Sequence, residues 1–203
     1  MNFAAFFSYV ILMTFTPGPN NIMAMTNAGK YGFRGALPFN LGVFLGVSVI
    51  MSCCAAFSSL LYELIPTVKP VMLCLGAAYI LWLAWKVWRD SPHAGTGSTL
   101  SRTNTVMSGI ILQLVNVKII TFGLTVMASF ILPHYRAPLH IAGFVLMQAC
   151  MSFLSTACWA AFGAVFDRLF KRHGRTLNAV MALLLVYCAV TMLRDVDWVG
   201  YLK

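Results

Sequence analysis

"TFTPGPNNIM", residues 14–23, interrupts an apolar segment that otherwise reads as one continuous helix. Pro17 and Pro19 each remove a backbone N–H donor and clash with the preceding helical turn. Gly18 between them tolerates backbone angles that other residues avoid. Asn20 and Asn21 follow where a second helix would begin, and asparagine is a favoured N-cap residue. The stretch therefore predicts a break in the helix, with an asparagine cap on the helix that follows.

The composition of the chain places this break inside a membrane. Of 203 residues, 60% are hydrophobic and only 9% are charged, whereas soluble domains carry about 25% charged residues. Pro17 lies 14 residues after Phe3, or about 21 Å along a helix axis. Backbone groups freed at that depth cost several kcal/mol each unless protein, water or a ligand satisfies them. We expect an unwound segment that faces a cavity, where the positive end of the new helix suits a carboxylate. A simple proline kink without a ligand is the alternative.

Six apolar segments are each long enough to cross a bilayer, which takes roughly 20 residues. They are Phe3–Met25, Ala36–Leu61, Pro66–Trp88, Val106–Leu132, Pro138–Val165 and Leu177–Leu193. A polar linker, residues 89–105, separates two halves of three segments each, about 1–90 and 104–203. An odd number of spans per half inserts the second half upside down. The sequence thus predicts an all-α membrane protein with one polytopic domain, residues 1–203, whose six transmembrane helices form two three-helix inverted repeats.

The basic residues predict the orientation of these spans. The loops after the first, third and fifth segments hold nine Lys and Arg residues, and the opposite side holds four. Because Lys and Arg accumulate in cytoplasmic loops, the linker 89–105 is predicted to be cytoplasmic and both termini periplasmic. The net charge of +9 lies in these loops and not along one element, which fits lipid headgroups better than nucleic acid. We expect membrane lipid as a partner and no nucleic acid.

One basic residue, Lys118, lies outside the loops. It is at least 12 residues from either end of its apolar segment, so it cannot readily reach the surface, and such a residue predicts a functional site. Gln113 and Asn116 share a helix face at a spacing of three. All five acidic residues fall in loops or at segment ends. The counter-anion of Lys118 is therefore expected to be a substrate carboxylate; carbonyl groups of the broken first span are the alternative.

These residues resemble the LysE/RhtB family of bacterial amino-acid exporters, which are six-span proteins of the inner membrane. The family's T-P-G-P-N signature is matched by Thr16-Pro17-Gly18-Pro19-Asn20, and its N-P-K motif by Asn116-Val117-Lys118. "GFRGALPFNLGVFLG" (32–46) and "GAAYILWLAWK" (76–86) match as well. The resemblance covers essentially the whole chain. It is closest to the branch that exports cysteine and O-acetylserine.

The chain departs from the family pattern at two places. Many members carry an acid or a histidine in the second span, where this chain has the uncharged Val47-Ser48-Val49. A proton-coupling role at that position is therefore not carried over. Val117 replaces the proline of the N-P-K motif, and the sequence leaves open whether the fourth helix breaks there.

The resemblance implies secondary-active export of small neutral amino acids from the cytoplasm to the periplasm, by a protein that is not an enzyme. Its expected partners are the amino acid and a coupling ion, either H⁺ or another ion. No metal or cofactor is expected. The expected substrate-binding residues are those of the two motifs and their neighbours, namely Thr16, Pro17, Gly18, Pro19, Asn20, Asn21, Gln113, Asn116 and Lys118.

Several alternatives remain at this stage. The exported amino acid could instead belong to the homoserine, threonine, leucine or lysine class, or the same architecture could serve uptake or assembly with a partner. A membrane thiol oxidoreductase could use Cys53-Cys54, although cysteines in apolar segments are expected to be small buried side chains. Gly42-x-x-x-Gly46 permits close helix packing, which we expect within one monomer in preference to a homodimer.

Overall fold

The structure, a computed structural model, describes residues 1–89, 103–165 and 167–194, and at 59–70 and 167–174 it describes the backbone alone. Its regular elements are all helical within those ranges, which confirms the predicted all-α class. In chain order they are α1 (Phe3–Phe15), α2 (Pro19–Ala56), α3 (Ser58–Arg89), α4 (Val106–Val115), α5 (Val117–Thr125), α6 (Pro138–Val165) and α7 (Asp167–Arg194). Wider π-helical turns, Val126–Ile131, continue α5. Most of the predicted linker and the C-terminal residue Lys203 lie outside the described residues.

Four described helical segments are long and apolar enough to cross a membrane, namely Pro19–Ala56, Val71–Arg89, Pro138–Val165 and Arg175–Arg194. The pair α4 and α5 is a fifth candidate if it counts as one span, bent by 67°. Helix α1 is apolar but has only 13 residues. The described chain therefore provides four or five candidate spans, and the six-span inverted repeat stays a prediction.

The predicted segment bounds hold at both ends only for Pro138–Val165. The segment predicted as Phe3–Met25 is divided between α1 and α2, and Val106–Leu132 is divided at Asn116. The loop predicted before Ala36 is largely helical, because α2 extends from Pro19 to Ala56 and only Gly32 within it has non-helical backbone angles. Apolar composition predicts where the candidate spans lie. It does not predict that a helix continues through polar residues beyond the apolar segment.

The break between α1 and α2 is built by Gly18 and Pro19. Gly18 has an extended backbone (φ −162°, ψ 175°) and is the N-cap of α2. Pro19 occupies the first helical position, where its missing N–H is not needed. The prediction that Asn20 or Asn21 caps this helix is wrong. Both lie inside the first turn of α2, so their side chains are available for contacts with other elements.

A second break lies within α2, at Gly32. Its backbone angles (φ 74°, ψ 168°) are ones that residues with a β carbon rarely adopt. This residue divides α2 into a first arm, residues 19–31, and a second arm, residues 33–56. The two arms pack against different partners.

Helix α1 and the first arm of α2 together follow α6 in the parallel direction. Three contacts mark the line from one end of α6 to the other: Phe6 with Phe144, Thr14 with Ser155, and Met25 with Gly163. Between Phe144 and Gly163, α6 rises about 28 Å. The break at Gly18 therefore lies well inside this length and near neither end.

The second arm of α2 follows α4 and α5 in the parallel direction. The contacts in order are Gly42 with Gly109, Gly46 with Gln113, and Cys54 with Ile120. A β carbon at Gly42 would overlap the carbonyl oxygen of Val106 and lie 3.0 Å from the Cα of Gly109. The close approach expected of Gly42-x-x-x-Gly46 is therefore made within the monomer.

The cysteines do not follow the expectation of buried side chains. Cys54 is buried and Cys188 partly buried, whereas Cys53, Cys74, Cys150 and Cys158 are exposed. The expectation is wrong for these four because the outer surface of an apolar helix accepts a small apolar side chain as readily as the interior does.

Candidate functional site

The two broken helices meet at their breaks. A β carbon built on Gly18 would lie 3.4 Å from the ammonium nitrogen of Lys118. The side-chain amides of Asn20 and Gln113 exchange two hydrogen bonds of 2.9 Å each. Asn116 Nδ2 donates a longer bond of 3.5 Å to Asn20 Oδ1. The start of α2 is therefore joined to the junction of α4 and α5.

The junction of α4 and α5 is a true break although it contains no proline. Asn116 has a non-helical backbone (φ −87°, ψ 92°), ends α4 and caps α5. Its carbonyl accepts bonds from the backbone N–H groups of Ile119 and Ile120, at 2.9 and 3.3 Å. Asparagine side chains compete with the helical backbone for hydrogen bonds, and here the side chain bonds to Asn20. The question that Val117 left open is answered: the fourth helix is broken.

The carbonyl groups at the C-terminal end of α1 already have donors. The pairs are Asn21 Nδ2 to Thr14 O (3.1 Å) and Thr16 O (3.0 Å), Ser155 Oγ to Thr14 O (2.9 Å), and Trp159 Nε1 to Phe15 O (3.4 Å). The negative end of this helix is thus largely neutralised by side chains of α2 and α6.

The positive ends of two helices point to the same place without such compensation. Helix α2 begins at Gly18 and α5 begins after Asn116. The first N–H groups of a helix have no partner within it, and this end carries about half a positive charge. The ammonium group of Lys118 lies between them, partly buried, and no hydrogen bond or ion pair to it is found among the described residues. The contacts to α1 carbonyls weighed as an alternative are not found there either. This arrangement attracts an anion.

A recess opens at the junction of these elements, with a volume of about 430 Å³ in total, part of it open to the surroundings. Seven of the expected site residues line it: Thr16, Gly18, Pro19, Asn20, Asn21, Asn116 and Lys118. Only a small part of this volume is wide enough for a water molecule, and that part holds on the order of two of them. The walls must therefore move apart before an amino acid can enter.

Two expected site residues do not line the recess. Pro17 is exposed on the outside of the break. Gln113 is fully buried behind Asn20 and also donates to the carbonyl of Gly109 at 3.3 Å. Gln113 therefore positions Asn20 and does not face the recess itself.

Six further residues line the recess that the sequence reasoning did not name: Met13, Thr14, Ile119, Phe122, Ser152 and Thr156. A signal for the last two was present. Gln148, Ser152, Ser155 and Thr156 are all buried and recur at spacings of three and four, so they form a polar stripe along an apolar helix. Such a stripe predicts a polar surface inside a bundle.

No group of three or more His, Cys, Asp or Glu side chains could hold a metal ion within the part of the chain that is described. The arrangement of the recess is therefore one of amides, hydroxyls and a single ammonium group, which suits a small zwitterion.

Comparison with known proteins gives a consistent result. The LysE type translocator family matches residues 11–196. Cysteine/O-acetylserine efflux proteins of Escherichia coli (strain K12), Shigella sonnei (strain Ss046) and Shigella flexneri are each 40% identical to the chain over 187 residues, which is 92% of this chain and 95% of theirs. No solved structure matches the chain. The match includes both helix breaks and α6.

Proposed function

Because this chain belongs to the LysE type translocator family, we propose that it exports small neutral amino acids, with cysteine and O-acetylserine as the leading substrates. Members of this family are transport proteins, so the chain is a transporter and not an enzyme, and the thiol-oxidoreductase alternative loses its support. The relatives that share 40% identity are named for efflux of these two compounds, which supports the choice of substrate.

The observation that carries the proposal is the meeting of two helix N-termini at Lys118. The substrate carboxylate binds between the ammonium group of Lys118 and the first backbone N–H groups of α2 and α5. Discontinuous helices whose N-terminal ends point at an anionic substrate are a recurrent arrangement in secondary transporters. Gly18 carries no side chain, which leaves the path between the helix end and the ammonium group free.

Other residues that line the recess are proposed to contact the ammonium group and the side chain of the substrate. Ser152 and Thr156 of α6 line the recess, and their hydroxyl oxygens can accept a bond from the substrate's ammonium group. Met13 and Phe122 form an apolar wall on the other side. We propose that this wall limits the substrate to a small neutral side chain.

The export cycle rests on six spans in two inverted three-span halves. The continuous line of α1 and the first arm of α2 along α6 supports counting them as one broken span. The two arms of α2 then belong to separate spans, and α4 with α5 forms the fourth. Rocking of the two halves about the breaks alternates access to the site. The energy source is an ion gradient, of H⁺ or another ion, or the membrane potential.

The protein is proposed to lie in the bacterial inner membrane with both termini in the periplasm. The orientation follows from the distribution of Lys and Arg. An alkaline-phosphatase reporter fused after Lys203 is expected to be active. An inactive reporter after Lys203, together with an active reporter in the linker 89–105, would show that the orientation is the opposite of the proposed one.

Efflux of labelled amino acids from cells tests the function. Cells that express the chain should release cysteine and O-acetylserine faster than cells without it, and Lys118→Ala should abolish the difference. Arg136→Ala, which removes an exposed basic residue far from the recess, is the matched control and should export normally. The same efflux measurement with homoserine, threonine, leucine and lysine would identify another substrate class. Faster accumulation of an amino acid in the cells, in place of its release, would indicate uptake.

A further inference from the structure

A second recess lies at the end of the bundle where α3 ends and α4 begins. It is open and has a volume of about 830 Å³ in total. Its lining comes from the first arm of α2, the last turns of α3 and one residue that lies two positions before the N-cap of α4: Thr26, Asn27, Lys30, Trp85, Lys86, Val87, Arg89 and Thr103. None of these residues belongs to the recess at the helix breaks.

All three basic groups of this recess lie over aromatic rings, and Lys30 Nζ is 5.3 Å from the centre of the Tyr31 ring. Lys86 Nζ lies 4.3 Å from the centre of the Trp82 ring, and the guanidinium of Arg89 lies 5.0 Å from the centre of the Trp85 ring. A cation–π contact fixes the position of a basic group and does not neutralise it. Lys86 and Arg89 therefore give the recess a preference for anions.

A buried amide group points to a ligand that enters this recess. Asn27 is only 3% exposed, and its Nδ2 has no hydrogen-bond partner among the described residues. Burying an amide donor without a partner is unfavourable. The Nδ2 atom is itself shielded from solvent, so a ligand oxygen that reaches it as the wall of the recess opens would supply the missing acceptor.

The second recess is connected to the first by one helix face. Asn27 follows Asn20 by seven residues on the first arm of α2, a spacing that places both on the same side of the helix. The distance between them along the axis is about 10 Å. Met23 and Ala24, which lie between them on this face, are buried, so the packed helices must part before a small molecule passes from the second recess to the helix breaks.

We propose that this second recess is an entrance site, which binds the carboxylate of the amino acid before it reaches Lys118. The inference rests on the proposed export function and on the cytoplasmic position of this end of the bundle. Arg89 and Lys86 attract the carboxylate, and Asn27 Nδ2 donates a hydrogen bond to it. The phosphate of an anionic lipid shares this oxyanion chemistry, and the experiment separates the two sources.

The test uses inside-out membrane vesicles, in which the cytoplasmic end of the protein faces the medium and export appears as uptake. Arg89→Gln should raise the KM for cysteine by about threefold to fivefold, the value of one exposed charge pair, with kcat unchanged. Arg34→Gln is the matched control, because Arg34 is an exposed basic residue near the same end that does not line the recess. Equal KM values for the two variants would overturn the proposal.

Asn27→Leu separates binding from a structural role. Leucine has a similar size and no donor, so the variant should be at least as stable to heat as the unmodified protein, because it removes a buried unpaired group. Its KM should rise by about tenfold, the loss expected for a hydrogen bond to a charged group. A drop in melting temperature with an unchanged KM would assign Asn27 to the fold alone.

A second experiment separates the substrate from an anionic lipid. It uses the purified protein in proteoliposomes of zwitterionic lipid, either alone or with about 20–30% anionic lipid, a content on the order of that in natural membranes. The effect of Arg89→Gln should persist in both. An effect that appears only with anionic lipid would assign the recess to a lipid headgroup and contradict the entrance site. Failure of the unmodified protein to transport cysteine would instead reject the proposed function itself.

Discussion

Asn20 and Gln113, 93 residues apart in the chain, are joined by two hydrogen bonds of 2.9 Å between their side-chain amides. The pair connects the first turn of α2 to the last turn of α4. Gln113 is itself fixed from behind, since its Cγ lies within 2.6 Å of the position a β carbon would take at Gly46. The two helix breaks are therefore held together by a polar contact in the interior of the bundle.

Removal of either amide should destabilise the protein. Asn20→Ala leaves the buried Gln113 amide short of a partner, and Gln113→Ala does the same to the partly buried Asn20 amide; each change costs about 1–3 kcal/mol. The double variant should cost less than the sum, because both changes remove the same pair of bonds. Unfolding of the purified protein in detergent measures these energies. Thr191→Val, which removes an exposed hydroxyl bonded to its own helix, is the control, and fully additive costs would contradict the contact.

The packing of α2 on α4 should not tolerate a single added methyl group. In Gly42→Ala the new β carbon overlaps the carbonyl oxygen of Val106, so the helices must separate at a cost of about 1–3 kcal/mol. The melting temperature should fall and export should decrease. Gly143→Ala adds the same group where nothing lies within 4 Å, and it should behave as the unmodified protein. A Gly42→Ala protein of normal stability would show that the backbones do not touch.

The break in α2 should depend on glycine. Gly32 has φ 74°, and a β carbon there costs about 1–2 kcal/mol. Since nothing lies within 4 Å of this position, Gly32→Ala tests backbone conformation alone, without steric overlap. We expect lower stability for both Gly32→Ala and Gly32→Asn, because with ψ at 168° these angles lie outside the left-handed helical region that asparagine tolerates, in a region that almost only glycine adopts. Equal melting temperatures for both variants and the unmodified protein would indicate a straight α2.

Ser155 should be needed to hold the unwound segment. Its hydroxyl donates to the Thr14 carbonyl at 2.9 Å and lies 3.2 Å from Asn21 Oδ1. Ser155→Ala leaves both groups short of a partner, so a loss of about 1–3 kcal/mol and slower export are expected. Ser48→Ala removes a hydroxyl bonded to the Phe44 carbonyl of its own helix and serves as the control. If the two variants unfold at the same temperature, α6 does not support the break.

The sequence predicted the first helix break because its cause is local. Pro17, Gly18 and Pro19 in succession disfavour a continuous helix through their own backbones, so the break was predictable without knowledge of neighbouring helices. The identity of the cap was not predictable in the same way, because proline at the first helical position and asparagine at the cap are both favourable. The choice follows from the bonds that Asn20 and Asn21 make with other helices.

The second break and the contribution of α6 to the site could not be predicted from the sequence, because both depend on contacts between helices that are distant in the chain. Asn116 lies in an apolar segment without proline or glycine nearby, and its backbone leaves the helix where its side chain bonds to Asn20. Asn20 is 96 residues away, so no local pattern reports this bond. Ser152 and Thr156 were recognisable as a polar stripe, but only packing shows which helix end the stripe faces.

The central claim is that Lys118 binds the carboxylate of the transported amino acid. The most direct measurement compares the binding of cysteine and of cysteine methyl ester, which lacks the carboxylate, to the purified protein by calorimetry. The unmodified protein should bind cysteine at least about tenfold more tightly than the ester, and Lys118→Ala should bind both equally weakly. A Lys118→Ala protein that still prefers cysteine over its ester by the same factor would contradict the account.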